Sequence, residues 1–99
     1  MTHYFATLIP PRTTFPGDIT PDEMALMRQH AAYWKSLLEP RISVAFGPVM
    51  DPKGAFGVCI FKAEDEAAAR AIMLADPVVK AGIGFTFTLL PMGNAIYRE

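Results

Sequence analysis

Two residues, His30 and Asp76, have side chains that can take part in proton transfer, and their positions in the sequence bear on whether they do so. The spacing around His30 predicts an amphipathic helix, and His30 falls in its apolar half, between Leu37 and Trp34. An unpartnered polar ring there costs about 1–3 kcal/mol, so His30 must be hydrogen-bonded or lie at the floor of a pocket. It is therefore either a core histidine bonded to a backbone carbonyl or a general acid/base. Asp76 precedes a proline and is either a helix-ending turn residue or the carboxylate that orients the imidazole.

The relative positions of these residues depend on the elements that carry them, which periodicity and turn residues define. The segment 20–23, Thr-Pro-Asp-Glu, is a strong helix start because it combines a capping box with a proline at the first helical position. Gly47-Pro48 is expected to break the second strand, and Asp76-Pro77 to end the second helix. The predicted strands cover residues 3–9, 42–46, 56–61 and 83–90, and the predicted helices cover 21–38 and 64–75.

The order of these elements, βαββαβ, predicts an α+β fold: a ferredoxin-like sandwich with both helices on one sheet face. We expect a single domain over residues 1–99, with a core of about 2–91 and a loosely held tail of 92–99. In this topology the end of the second strand, the end of the second helix and the start of the first helix lie at one edge. The residues expected to converge there are His30, Asp76, Gly47, Pro48 and Asp51.

Both faces of the first predicted strand are apolar, although the two helices can cover only one of them. An apolar sheet face of this size is usually buried by another subunit. We therefore expect a homodimer that packs through its sheet faces. The alternating sets are Tyr4, Ala6 and Leu8 on one side, and Phe5, Thr7 and Ile9 on the other.

Composition and motifs argue against several other classes of function. The chain has 9 Lys and Arg against 10 Asp and Glu without a basic stripe, so nucleic-acid binding is not expected. No apolar run approaches the roughly 20 residues that cross a bilayer. The N-terminus does not resemble a signal peptide, so we expect a cytoplasmic protein without membrane contact. The 2 histidines and the lone Cys59 offer no metal-ligand spacing and no intrachain disulfide, so we expect no metal and no cofactor.

Three segments together resemble the YCII-related family, small proteins of the dimeric α+β barrel group. They are HAAYWKSL at 30–37, AFGPVMDPKG at 45–54 and ADPVVKAGI at 75–83. The resemblance implies that His30 matches the family's helix histidine and Asp76 the aspartate of its Asp-Pro motif, a pair regarded as an active-site dyad. One relative of this kind is a dehydrochlorinase of a chlorinated hydroxyquinol, and muconolactone isomerase shares the fold. The chain departs from the family in a long insertion, residues 10–19, that could cover the pocket.

The first functional hypothesis is a cofactor-independent lyase or isomerase acting on a small, aromatic or quinone-like molecule. His30 would be its general acid/base, oriented by Asp76. The alternatives are a non-catalytic small-molecule-binding or dimeric interaction module that uses the same pocket, and a dimerisation domain with a structural, closed-off histidine. Aromatic side chains would shape the pocket unless they are plain core, and an arginine would pair with an anionic substrate unless it is solvated. These candidates are Tyr33, Trp34, Phe46, Phe15 and Arg12.

Overall fold

The computed structural model describes residues 1–98 and shows the predicted order of strands and helices, with one further short helix. The strands are β1 (Thr2–Ile9), β2 (Ser43–Val49), β3 (Phe56–Ala63) and β4 (Thr86–Pro91), and the helices are α1 (Pro21–Ser36), α2 (Glu66–Leu74) and α3 (Pro77–Lys80). The strands form one antiparallel sheet in the order β2-β3-β1-β4. The prediction of an α+β, ferredoxin-like fold is confirmed.

The helix that carries His30, α1, starts as the sequence predicts. The Thr20 hydroxyl accepts a hydrogen bond from the Glu23 backbone N–H, and the Glu23 carboxylate accepts one from the Thr20 N–H. This reciprocal capping box satisfies donors that the first turn leaves unpaired. Pro21 takes the first helical position, where a missing N–H costs nothing. The cap fixes where α1 begins, and so fixes the direction in which His30 points.

Two predicted element boundaries are wrong, each for a local reason. Gly47-Pro48 does not break β2, because β2 is an edge strand and tolerates proline. The second helix does end before Asp76-Pro77, as predicted, and Asp76 in addition caps the short helix α3. The last strand begins at Thr86 rather than at residue 83. Gly82 and Gly84 precede it with φ of 65° and 109°, values that an extended strand does not adopt.

The hydrophobic core lies between the helices and one face of the sheet. Trp34 of α1 and Met73 of α2 are fully buried there, packed with Phe61 of β3. From β1, the alternating residues Tyr4, Ala6 and Leu8 point into this layer and are buried. Their neighbours on β1 point to the other face and are half-buried or exposed. The helices therefore cover only one face of the sheet, as predicted.

Strand directions place several chain ends at one end of the sheet. β1 and β2 run in the same direction while β3 and β4 run in the opposite one. The last residues of β1 and β2 therefore lie beside the first residues of β3 and β4. The start of α1 and the end of α2 lie at this same end, because each helix returns the chain along the length of the sheet. This end holds the candidate site.

The tail after β4, predicted to be loosely held, contacts the first strand. The Tyr97 hydroxyl lies 3.0 Å from His3 Nε2, and the Met92 N–H donates to the His3 carbonyl at 2.8 Å. The last residue of the predicted tail, residue 99, lies outside the described residues. Residues 92–98 are thus anchored across the end of the sheet opposite the candidate site.

Residues 1–98 show neither a membrane-spanning helix nor a metal-ligand cluster. No helix in this range is both long enough and apolar enough to cross a membrane. No group of three or more His, Cys, Asp and Glu side chains in the same range is placed to hold a metal ion. The cytoplasmic location and the lack of a cofactor stay predictions.

Candidate active site

Asp76 lies at the centre of the candidate site and is fully buried. Its Oδ2 lies 2.7 Å from His30 Nδ1 and accepts a hydrogen bond from the Trp34 indole Nε1, also at 2.7 Å. Its Oδ1 accepts the backbone N–H of Val78 at 3.1 Å. A carboxylate is tolerated in the interior when both oxygens are hydrogen-bonded in this way. The structure thus brings His30 and Asp76 into direct contact.

The donors around Asp76 decide which imidazole nitrogen carries the proton. An indole N–H and a backbone N–H can only donate, so the carboxylate acts as an acceptor at both oxygens. His30 Nδ1 therefore donates to Asp76, and the neutral ring keeps its lone pair on Nε2. Nε2 makes no hydrogen bond within the described part of the chain. The structure leaves this nitrogen available to a bound molecule.

A cavity of about 350 Å³ opens beside the His30 ring. This volume lies at the lower end of the range of small-molecule sites, about 300–1,000 Å³. The walls come from α1, the end of β2, the start of β3 and the segment 10–19, and His30 carries the only basic group among the lining side chains. Prominent among these are Met27, Ala31, Phe46, Val58, Phe15 and Phe85. The cavity therefore suits a compact, largely apolar molecule, with one ring nitrogen placed to act on it.

The inserted segment 10–19 forms one wall of this cavity and is closely packed against the rest of the domain. The Phe15 ring meets Phe85 edge-on, with centroids 5.4 Å apart, and both side chains are buried. Pro11 approaches Gly84 so closely that a Cβ at Gly84 would lie 2.8 Å from the Pro11 Cβ. Glycine is thus required at position 84 by the packing as well as by its φ of 109°. The segment covers the pocket, as the sequence suggested.

Arg12 holds the same segment to the start of α1. Its Nη1 and Nη2 each lie 2.7 Å from a Glu23 oxygen, and its Nε lies 2.9 Å from both oxygens of Asp18. We call these three residues the Arg12 clasp. Hydrogen bonding to Arg12 lowers the pKa of Glu23 to about 2 and also lowers the pKa of Asp18. Arg12 was expected to pair with an anionic substrate, but in this structure its guanidinium is bonded to Asp18 and Glu23 and does not line the cavity.

Acid is expected to weaken the clasp. Because the pKa of Glu23 is about 2 in the folded protein and ordinarily 4.5, the unfolded chain binds more protons between those values. The contribution of Glu23 to stability is therefore complete above pH 4.5 and is lost as the pH falls through about 2. Urea unfolding of the wild type and of Glu23→Gln at several pH values measures this. The stability difference between the two proteins should shrink on acidification, and a difference that stays constant with pH contradicts the assignment.

Three further residues assigned to the pocket from the sequence do not line it. The Tyr33 hydroxyl donates to the Ile72 carbonyl at 2.6 Å, and burial, followed by the charge of Asp76, raises the pKa of that phenol. Trp34 is completely buried behind His30 and contacts the site only through Asp76. Asp51 is an exposed turn residue whose Oδ1 accepts the backbone N–H of Lys53. The structure places the other candidates, Phe15, Phe46, Gly47 and Pro48, in the cavity wall.

Cys59 also lines the cavity, although the sequence suggested only an inert buried thiol. Its side chain is 1% exposed, and burial, reinforced by the negative charge of Asp76, raises the pKa of the thiol to about 12. The thiolate, which is the nucleophilic form, is therefore scarce at neutral pH. Cys59 contributes apolar surface to the cavity and is not a nucleophile.

Several cavity residues were not identified from the sequence. Met27 lies one helical turn before His30, so its i, i+3 spacing could have assigned it to the same helix face. No spacing pattern pointed to Phe85. The sequence placed it inside a regular strand, whereas β4 begins at the next residue, Thr86. Its place in the wall results from the turn through Gly82 and Gly84, and from packing against the inserted segment.

Comparison with protein-family models identifies the domain. The model of the YCII-related domain matches residues 5–93, which include most of β1, the segment 10–19, His30 and Asp76. The chain belongs to the YCII-related family. A search of curated proteins returned no match to this sequence. In this YCII-related domain the segment 10–19 lies inside the matched range.

Proposed function

We propose that this YCII-related protein catalyses proton transfer on a small molecule bound in the cavity, as a cofactor-independent lyase or isomerase. One observation carries the proposal: the His30 imidazole is bonded to a buried carboxylate at Nδ1 and lines an apolar cavity. His30 is the proposed general base and acid, and Asp76 orients it. An aromatic or quinone-like molecule suits the apolar walls.

The proposed reaction begins when His30 Nε2 removes a proton from a carbon next to an electron-withdrawing group. The electron pair of the broken C–H bond enters the conjugated system of the substrate. An isomerase then returns the same proton from Nε2 to a different carbon, and a lyase forms a double bond as a leaving group departs with its bonding electrons. In both cases the imidazolium is stabilised by Asp76, 2.7 Å from Nδ1.

The surroundings of Nε2 support this role. The lining provides no other charged side chain that could compete for the proton. Apolar walls from two different elements, including Phe46 of β2 and Met27 of α1, line the cavity beside the ring. A ligand that fills the cavity would displace water from the ring, which strengthens the interaction between the imidazolium and its carboxylate at the moment of proton transfer. A site of this construction suits general acid/base catalysis better than nucleophilic catalysis, since Cys59 is held as a neutral thiol.

Hydrogen–deuterium exchange of a carbon acid tests the proposal without knowledge of the natural substrate. We expect the wild type to accelerate exchange of the α-protons of 2-tetralone in D2O, followed by NMR. His30→Gln, which can still donate to Asp76 but cannot act as a base, should lower the protein-dependent rate by about 10²–10⁴-fold. His3→Gln is the matched control, because His3 lies at the far end of the sheet.

The outcomes separate catalysis from binding. A wild-type rate no greater than that of buffer, in a solution where NMR shows 2-tetralone bound, favours the non-catalytic binding module. Equal rates for His30→Gln and the wild type contradict the role of His30. A drop confined to His30→Gln supports general acid/base catalysis in the cavity.

We also propose that the protein is a homodimer packed through the sheet face that the helices leave open. This face carries half-buried or exposed apolar residues from three neighbouring strands, including Phe5, Ile60 and Leu90. Leu90 is 60% exposed near the end of β4. A second copy offers a surface of the same apolar character, and such self-complementary pairing is the commonest arrangement of oligomers.

Leu90→Asp is expected to convert the dimer into a monomer, because a carboxylate would be buried without a partner at the interface. Light scattering coupled to size exclusion measures the molar mass. Leu74→Asp is the control, since Leu74 is similarly exposed but belongs to α2, on the other side of the sheet. A wild type that is monomeric at all concentrations contradicts the proposal, as does a Leu90→Asp variant that stays dimeric.

A further inference from the structure

The inserted segment 10–19 contributes four residues to the cavity wall and is held without an evident hinge. Pro10, Phe15, Pro16 and Ile19 line the cavity. Between them, Pro11 packs on Gly84 and Arg12 is bonded to both other residues of the clasp. The Thr14 hydroxyl adds a further hydrogen bond to Asp18 at 2.6 Å. These packing contacts and hydrogen bonds hold the segment in one position. We therefore regard it as a fixed wall of the cavity rather than a lid that opens for each ligand.

Phe15 is placed to set the size of that ligand. Its ring is 6% exposed, and it fills the space between the inserted segment and Phe85 on the opposite side of the wall. The cavity of about 350 Å³ is bounded in part by this ring, so a smaller side chain at position 15 would enlarge it. The ring packs edge-on against Phe85, and the Arg12 guanidinium lies over it, 5.7 Å from its centroid, so both contacts hold it in the wall.

The clasp also gives the wall a negative charge. One guanidinium, Arg12, is paired with two carboxylates, Asp18 and Glu23, so the three side chains sum to −1. The Arg12 guanidinium lies 5.7 Å from the centroid of the Phe15 ring, which lines the cavity. On the other side of the site, Asp76 places a further negative charge behind His30. No lysine or arginine lines the cavity to offset these charges.

We propose that the segment 10–19 restricts this site to compact, uncharged ligands, with Phe15 limiting their size and the carboxylates of the Arg12 clasp disfavouring anions. The proposal rests on the ligand cavity of the proposed function and specifies its substrate class. A neutral ring system with one acidic C–H fits this class. A carboxylate-bearing analogue of the same shape does not.

Charge selectivity is tested with benzamide and benzoate, which have nearly the same shape and differ by one charge. Binding is followed by the NMR shifts of the Gly47 and Gly57 amides in the cavity wall. We expect the wild type to bind benzamide about tenfold or more tightly than benzoate. Asp18→Asn should tighten benzoate binding roughly threefold to fivefold at low ionic strength, leave benzamide unchanged, and lose this effect in 1 M NaCl. Asp22→Asn, an equal charge change outside the clasp, is the control.

Size selectivity is tested with biphenyl-4-carboxamide, which adds one ring to benzamide and is longer than the fused bicycle 2-tetralone. Phe15→Ala should tighten biphenyl-4-carboxamide binding roughly fivefold to tenfold relative to benzamide, because the added ring fills the vacated space. Phe15→Leu, which keeps the segment packed against Phe85, should give a smaller change in the same direction. This second variant keeps the test decisive if the alanine variant folds poorly.

The outcomes distinguish this inference from the proposed function beneath it. Shifts in the cavity amides with equal affinity for benzamide and benzoate, or with no effect of either Phe15 variant, overturn the restriction while the cavity and its histidine stand. An absence of cavity shifts with all three probes overturns both, since no ligand site is then present. Selectivity for benzamide that Asp18→Asn reduces and Asp22→Asn does not supports the restriction.

Discussion

Replacing Asp76 with asparagine is expected to lower the unfolding free energy by about 1–3 kcal/mol and the exchange rate of 2-tetralone by about 10²-fold or more. The carboxylate accepts hydrogen bonds at both oxygens, from His30, Trp34 and Val78. An asparagine amide has one oxygen, and its NH2 group can only donate. Whichever way the amide is turned, its NH2 group faces at least one buried N–H group that cannot accept.

The effect on catalysis follows from the tautomer of the ring. If the asparagine NH2 group faces His30, Nδ1 must accept, and the proton of the neutral ring moves to Nε2. The nitrogen beside the cavity then cannot act as a base, although the geometry of the site is preserved. The stability cost and the catalytic loss therefore have the same origin, a reversal of one hydrogen bond.

Urea unfolding and the NMR exchange assay measure the two effects on the same samples. Asp51→Asn is the matched control, because Asp51 is exposed and its single hydrogen bond from Lys53 can be kept by an amide oxygen. We expect this control to change stability by less than about 0.5 kcal/mol. If the Asp76→Asn variant exchanges the α-protons of 2-tetralone at the wild-type rate, the proposed role of Asp76 in the mechanism is contradicted.

Trp34→Ala is expected to lower the unfolding free energy by about 3–5 kcal/mol, the largest stability effect of any single change proposed for this domain. Trp34 is completely buried and packs against the rings of Phe61, Phe46 and Tyr33. Its truncation leaves a cavity between α1 and the sheet and also deprives Asp76 of one donor. Both losses act on the helix that carries His30.

Circular dichroism in urea measures this effect, since the variant lacks the only tryptophan. Trp34→Phe separates the two contributions, because it keeps most of the ring volume and removes only the indole donor. Its cost should be nearer to about 1–2 kcal/mol. Ile96→Ala, at a side chain that is 97% exposed, should leave stability almost unchanged. A Trp34→Ala variant as stable as Ile96→Ala contradicts the structure of the core.

The sequence was sufficient to predict the fold and the meeting of His30 with Asp76, because both depend on regular features. The capping box at 20–23 fixes the start of α1, and the order of elements fixes which chain ends lie together. Periodicity also places His30 on the inner side of its helix, where its side chain is 12% exposed. These inferences need only helix geometry and strand direction.

The walls of the cavity could not be predicted in the same way. The role of Arg12 depends on two carboxylates, and only their folded positions show that its charge is already neutralised. Trp34 looked like a pocket residue because it shares a helix face with His30, yet its indole turns inward to Asp76. Side-chain direction within a face is set by tertiary contacts that periodicity does not encode.

The bonding of Glu23 has a consequence for local opening of the protein. Its Oε1 accepts from the Thr20 backbone N–H and from Arg12, so one oxygen belongs both to the start of α1 and to the inserted segment. Neither part can open while the other stays fully bonded. Amide protons in the two parts, such as those of Ile19 and Met24, which donate to backbone carbonyls, should therefore exchange with solvent in a single cooperative event. The wall of the cavity and the start of the helix that carries its histidine then open with the same free energy.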